Sequence, residues 1–99
     1  MTVVHIIIAR SSAASGRNFA SFAAKVKARY EQVDIVKSVR VGESINSPEQ
    51  HKGFDFTLVL EFEDEAALKK YLEHPETKAK KAELLDPYAE ETIIVDFKY

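Results

Sequence analysis

Tyr71-Leu72-Glu73-His74-Pro75-Glu76-Thr77 places a phenol and an imidazole three residues apart, directly before a proline. Both groups hydrogen-bond and move protons, and Pro75 disfavours helical geometry in the residue before it. The pair therefore stands where a helix must end. His5 is the lone polar side chain within Val3-Val4-His5-Ile6-Ile7-Ile8-Ala9, and Asp96 is the lone charge within Thr92-Ile93-Ile94-Val95-Asp96-Phe97. A carboxylate beside an imidazole fixes its tautomer and strengthens it as a proton acceptor. Two uses fit these residues: a base prepared by Asp96, or a structural hydrogen bond that satisfies a buried carboxylate. Tyr71 has two uses as well, a proton donor or an aromatic core residue whose hydroxyl reaches the rim. His74 can also be a plain helix-end residue.

The elements that position these groups follow from periodicity. Val3 to Ala9 is rich in β-branched residues and reads as a strand apolar on both faces. Ser11 to Gly16 leads into Phe19, Phe22, Ala23, Val26, Tyr30 and Val33, whose spacing marks one face of a helix. Ile35, Lys37, Val39 and Val41 alternate with Val36, Ser38, Arg40 and Gly42, a second strand ending near Gly42. Ser47-Pro48-Glu49-Gln50 has the pattern of a capping box around one helical turn. Phe54, Phe56, Leu58, Leu60 and Phe62 alternate with more polar residues, the clearest strand in the chain. Asp64 caps a helix carrying Ala67, Leu68, Tyr71 and Leu72, with Glu65 and Lys69 as a supporting pair. Pro75 starts another helix through about Leu85, with Glu76 and Lys80 as a second pair, and Asp86-Pro87 ends it. Thr92 to Phe97 is the last strand.

The order β-α-β-β-α-β predicts an α+β fold: the ferredoxin-like split βαβ unit, a four-stranded antiparallel sheet with helices on one face. The first and last strands are neighbours in that order, so His5 and Asp96 can meet on the helix side. The opposite face still carries Val4, Ile6 and Ile8 with Ile93, Val95 and Phe97. Water against such a face is costly, so a homodimer with two sheets back to back, forming a barrel, is expected.

Length and composition narrow the functions. A 99-residue chain with 45% hydrophobic content fits one domain, residues 1–99. The formal charge of −2 gives no electrostatic reason to expect nucleic acid or an anionic membrane. Lys69, Lys70, Lys78, Lys80 and Lys81 interleave with Glu73, Glu76 and Glu83, the pattern of a solvated helix face. With no cysteine, disulfides, thiolate metal sites and cysteine nucleophiles are excluded, and the three histidines lack metal-ligand spacing. Nucleotide-binding, serine-hydrolase and zinc-peptidase motifs are absent, so neither a cofactor nor a metal is expected. Val3 to Ala9 is too short to span a membrane and lacks a signal-peptide context, so a soluble, cytoplasmic protein is expected.

Taken together, several pieces resemble the stress-response A/B barrel (Dabb) family of dimeric α+β barrels. They are His5 in the opening strand, Val41-Gly42-Glu43, Asn46 to Glu49, Lys52-Gly53-Phe54-Asp55, Tyr71 to Pro75 and Val95-Asp96-Phe97. The resemblance implies a homodimer with a pocket between helices and sheet in each protomer. It also implies Tyr71, His5 and Asp96 as catalytic residues, because a plant polyketide cyclase of this family, olivetolic acid cyclase, has matching groups. Phe22, Val26, Leu58, His74, Thr77 and Tyr88 would line the pocket and hold substrate. Thr77 stands where the cyclase pattern His-Pro-x-His has its second histidine. Three functions are compatible with the resemblance: a cofactor-free polyketide cyclase or lyase acting on a small carbonyl or aromatic compound, a non-catalytic stress-related dimer that binds a small hydrophobic ligand, and a cofactor-independent monooxygenase.

Overall fold

The computed structural model describes residues 2–11, 19–85 and 89–99. Its strands are β1 (Val3–Ser11), β2 (Ser38–Glu43), β3 (Phe56–Phe62) and β4 (Ala89–Lys98). Its helices are α1 (Phe19–Glu31), α2 (Pro48–His51), α3 (Glu65–Glu73) and α4 (Pro75–Lys80), and a wide π-type turn, Lys81–Leu85, follows α4. The strands form one sheet in the order β2-β3-β1-β4 with every neighbouring pair antiparallel, the ferredoxin-like arrangement.

Alternation in β3 sets the faces. Phe56, Leu58, Leu60 and Phe62 are all buried, and their register partners Ala9, Ile7, His5 and Val3 share the helix side. Val26 and Tyr30 of α1 and Leu68 and Tyr71 of α3 complete this core. The stripe read from the sequence is thus the buried one, as expected where a small domain gains stability chiefly by covering one sheet face. The other face holds Val4, Ile6 and Ile8 opposite Phe97, Val95 and Ile93.

Asp64 caps α3 as expected, its side chain accepting from the Ala67 amide at 2.8 Å. His74 caps α4 in the same manner, its Nδ1 accepting from the Glu76 amide at 3.1 Å. Glu76 and Lys80 pair at 3.8 Å, whereas Glu65 is held by Lys98 across the gap to β4 in place of the expected Lys69.

Other local expectations are corrected. β2 begins at Ser38 and not at Ile35, because the Val36 amide bonds the Val33 carbonyl and turns the chain. Around α2, the Ser47 side chain forms no cap; its carbonyl accepts the Gln50 and His51 amides instead. β3 begins at Phe56, two residues after Phe54, whose amide bonds back to the His51 carbonyl. β4 is longer than expected, since pairing with β1 extends it to Ala89 and Lys98. The α-helix from Pro75 stops at Lys80, and the wider turn carries the chain to Leu85; Asp86-Pro87 lies outside the described residues.

Candidate functional site

His5 and Asp96 are direct cross-strand partners of β1 and β4, so their side chains leave the sheet together on the helix side. The imidazole Nδ1 and Asp96 Oδ1 are joined by a hydrogen bond. An ionised carboxylate only accepts, so Nδ1 is the donor in this bond. His5 is 3% exposed, while the Asp96 side chain is 36% exposed because β4 is an edge strand. That edge position lets the carboxylate keep water on one side and avoids the full cost of a buried charge.

Tyr71 projects from α3 toward the same place. Its ring meets the His5 ring edge-on with centroids 6.0 Å apart, and it also packs on Phe62 at 5.1 Å. Burial, the most important cause, pushes the phenol well above its ordinary range, with the neighbouring Tyr30 hydroxyl and their hydrogen bond adding to the shift. Tyr71 is therefore a donor and not a base in neutral water.

Two cavities flank this cluster. One, about 540 Å³, has Tyr71 in its wall together with Val33, Asp34 and Ile35 from the turn after α1, and Lys70, His74, Thr77 and Lys80. The other, about 510 Å³, is a groove between α3 and β4 with Asp96 in its lining, and Leu68 and Leu72 are among its apolar walls. The buried imidazole thus sits between a phenol that borders one cavity and a carboxylate that borders the other.

The expected substrate-contacting residues divide. His74 and Thr77 line the Tyr71 cavity. Val26 and Leu58 are fully buried and Phe22 packs on Phe56 at 5.2 Å; none of the three lines either cavity. Helical and strand spacing put them on the correct face but in the core beneath the site. Tyr88 lies outside the described residues. Thr77 donates its hydroxyl to the Tyr71 carbonyl and so ties α4 to the last turn of α3. Asp34, Lys70 and Lys80 escaped the sequence reading. The alternation around Ile35 reads as a strand and so conceals the turn that builds one wall, and Lys70 and Lys80 read as solvated lysines.

Comparison with known proteins fits this fold. The sequence model of the stress-responsive A/B barrel domain matches residues 3–99. No curated protein matches the sequence. An Arabidopsis thaliana protein superposes with a TM-score of 0.84 at 16% identity, over 98% of this chain and 94% of its own. A dimeric ferredoxin-like protein of unknown function from Thermobifida fusca gives 0.77 at 18% identity, over 100% and 92%. The hydroxynitrile lyase of Passiflora edulis gives 0.71 at 16% identity, over 97% and 91%. At these identities the structural likenesses establish the fold, and the match over residues 3–99 establishes the family: the chain belongs to the stress-responsive A/B barrel (Dabb) family.

Proposed function

We propose that this protein is a homodimer in which each protomer binds a small carbonyl or aromatic compound in the Tyr71 cavity and acts on it without a cofactor, by acid–base chemistry of the polyketide cyclase or lyase kind. The observation that carries this reading is the bond from the buried His5 to the half-exposed Asp96, with the Tyr71 ring 6.0 Å from the imidazole. Asp96 holds the Nδ1 proton, leaving Nε2 to take a proton from a carbon next to a carbonyl. Tyr71 donates a hydrogen bond to the carbonyl oxygen as negative charge develops there. The resulting enolate attacks a second carbonyl of the same molecule, and the imidazolium returns its proton to the new alkoxide. A hydroxynitrile lyase on the same fold supports the compatibility of this scaffold with lyase chemistry.

Positioned acid–base groups contribute ~10²–10⁴-fold in rate. Turnover of polyketide-type thioesters and acids is therefore expected to fall by about that factor in Tyr71→Phe and in His5→Gln. Equal rates in wild type and both variants would remove the assigned roles.

Homodimerisation is supported by the open sheet face, where Ile93, Val95 and Phe97 are 44%, 46% and 46% exposed beside Val4, Ile6 and Ile8. A second copy packed there back to back withdraws this apolar surface from water. Solved relatives of the same fold are dimeric.

One observation favours a second reading, a ligand-binding dimer without catalysis. At the cavity wall the Thr77 hydroxyl is engaged by the Tyr71 carbonyl and His74 Nδ1 by the Glu76 amide, so both are committed to holding α4. Saturable binding of aromatic ketones by wild type, with no conversion of any thioester or acid tried, would select that reading.

A further inference from the structure

The α3–β4 groove is separate in position from the Tyr71 cavity; Asp96 lines the groove, Tyr71 lines the cavity, and His5, which lines neither, touches both residues. We propose that the groove is a second binding site, for a small apolar amine, and that its occupant regulates His5 by competing for the carboxylate that orients it. The binding step stands on the groove itself; the regulatory consequence rests on the reading of His5 as the base.

The groove has apolar walls left uncovered. Leu72 in its wall is 41% exposed, and Ile94, outside the groove's lining but on the helix side of β4 two residues before Asp96, is 49% exposed although its face is the one the helices pack against. The helices cover β1 and β3 but leave β4 open, which creates a trough about 510 Å³ in size. Asp96 uses one oxygen on His5, and a carboxylate has capacity for further donors.

The charges around it select the ligand's sign. Glu65, Lys69, Glu73, Asp96 and Lys98 line the groove, and Glu65 with Lys98 forms a closed pair. Asp96 and Glu73 then stand against Lys69 alone, an excess of negative charge that attracts an ammonium and repels a carboxylate. On its other flank His5 meets the Tyr71 ring, whose phenol is held in its neutral form, and the cations on that side, Lys70 and Lys80, line the Tyr71 cavity and not the groove. A primary ammonium at Asp96 draws the carboxylate's charge away from the imidazole. The alkyl chain meanwhile covers Leu68 and Leu72.

The test is heteronuclear NMR of the full chain with three probes of one length: n-hexylammonium, 1-hexanol and hexanoate. The expected result is that n-hexylammonium binds about tenfold tighter than 1-hexanol, from one charge-assisted hydrogen bond, with hexanoate weakest. Its perturbations should centre on Leu68 and Leu72 and include the His5 Nδ1 proton. Leu72→Ala should weaken it several-fold, and Asp96→Asn should erase the preference for amine over alcohol. Equal affinity for all three probes, perturbations centred on Val33 and Thr77, survival of the preference in Asp96→Asn, or no binding by any probe would each overturn the proposal. Its failure is distinct from that of the acid–base reading: unchanged turnover in His5→Gln defeats only the latter, whereas absent amine binding with turnover lost in His5→Gln defeats only the groove.

Discussion

Tyr71→Phe removes one oxygen from a buried cluster, and its consequence can be worked out with sign and size. The Tyr71 phenol is 3% exposed and is held protonated above its ordinary value of 10.0, first by burial and then by Tyr30. A folded state that holds a proton more tightly than the unfolded chain is favoured while that proton remains bound in both. This contribution is complete below pH 10 and is lost as pH rises beyond it, because only the unfolded chain then releases the proton. Each pH unit past 10 costs about 1.36 kcal/mol, so about 2 kcal/mol is gone by pH 11.5. Lysine and arginine contributions are common to wild type and variant and cancel in their difference. Below pH 10 the variant is expected to be ~1–3 kcal/mol less stable, since the Tyr30 hydroxyl loses its partner. Urea denaturation at fixed protein concentration from pH 8 to 11.5 is the assay; a fixed concentration matters if the protein is dimeric. The two stability curves should converge with rising pH by the amount of one proton. Parallel curves would mean that Tyr71 is solvated or ionises normally, and the assignment of a permanent donor would fall with them.

The remaining predictions are local. Val95→Asp puts a carboxylate in the middle of the open sheet face, where each protomer of a dimer would lose about 1 kcal/mol of apolar burial and would also have to desolvate a charge; light scattering should show monomer or insoluble chain, and an unchanged dimer would mean a different interface. Thr77→Val deletes the tie to the Tyr71 carbonyl and should cost ~0.5–1.5 kcal/mol in urea unfolding, while an unchanged midpoint would show that the bond contributes nothing. Asp64→Ala removes the α3 cap and should cost about 1 kcal/mol, with the extra amide exchange confined to the first turn; uniform exchange along α3 would contradict a local cap.

The parts that were legible in the sequence are those where side-chain pattern and backbone geometry have the same period. Phe56 to Phe62 alternates strictly and is buried at alternate positions. His5 and Asp96 could be paired on paper because the ferredoxin-like order makes their strands neighbours and each breaks an apolar run. What escaped depends on backbone bonds to which side-chain type is nearly indifferent. Val33 to Val36 is as β-branched as a strand, yet one backbone bond from the Val36 amide to the Val33 carbonyl makes it a turn and a cavity wall. Ser47 has the residue type of a side-chain cap, and its carbonyl does the work instead. The cavity lining was harder still, because a residue on the correct face can lie beneath a site and not beside it, as Val26 and Leu58 do. Lys80 reads as a surface charge, but its stem is drawn against the protein, leaving the side chain 17% exposed.

β4 carries two duties that cannot be separated. Its odd residues Ile93, Val95 and Phe97 face the open side of the sheet, and its even residues Ile94 and Asp96 face the helices. The period of two that exposes the proposed dimer surface therefore also delivers the carboxylate to His5, and a slip of one residue in the β1–β4 register would destroy both at once. The register is fixed chiefly by β1, where Val3, His5 and Ile7 are buried on the helix side against β3. His5 consequently has a structural task even when no substrate is present: its bond to Asp96 is, with the Arg10–Glu91 ion pair at 3.2 Å, one of two polar contacts between register partners of β1 and β4 among the described residues. Within Ile93 to Phe97, apolar on both sides but for Asp96, no other side chain distinguishes one register from the next by its polarity. This accounts for a histidine amid six aliphatic residues and a carboxylate on an edge strand, whether the pair moves protons or only holds them.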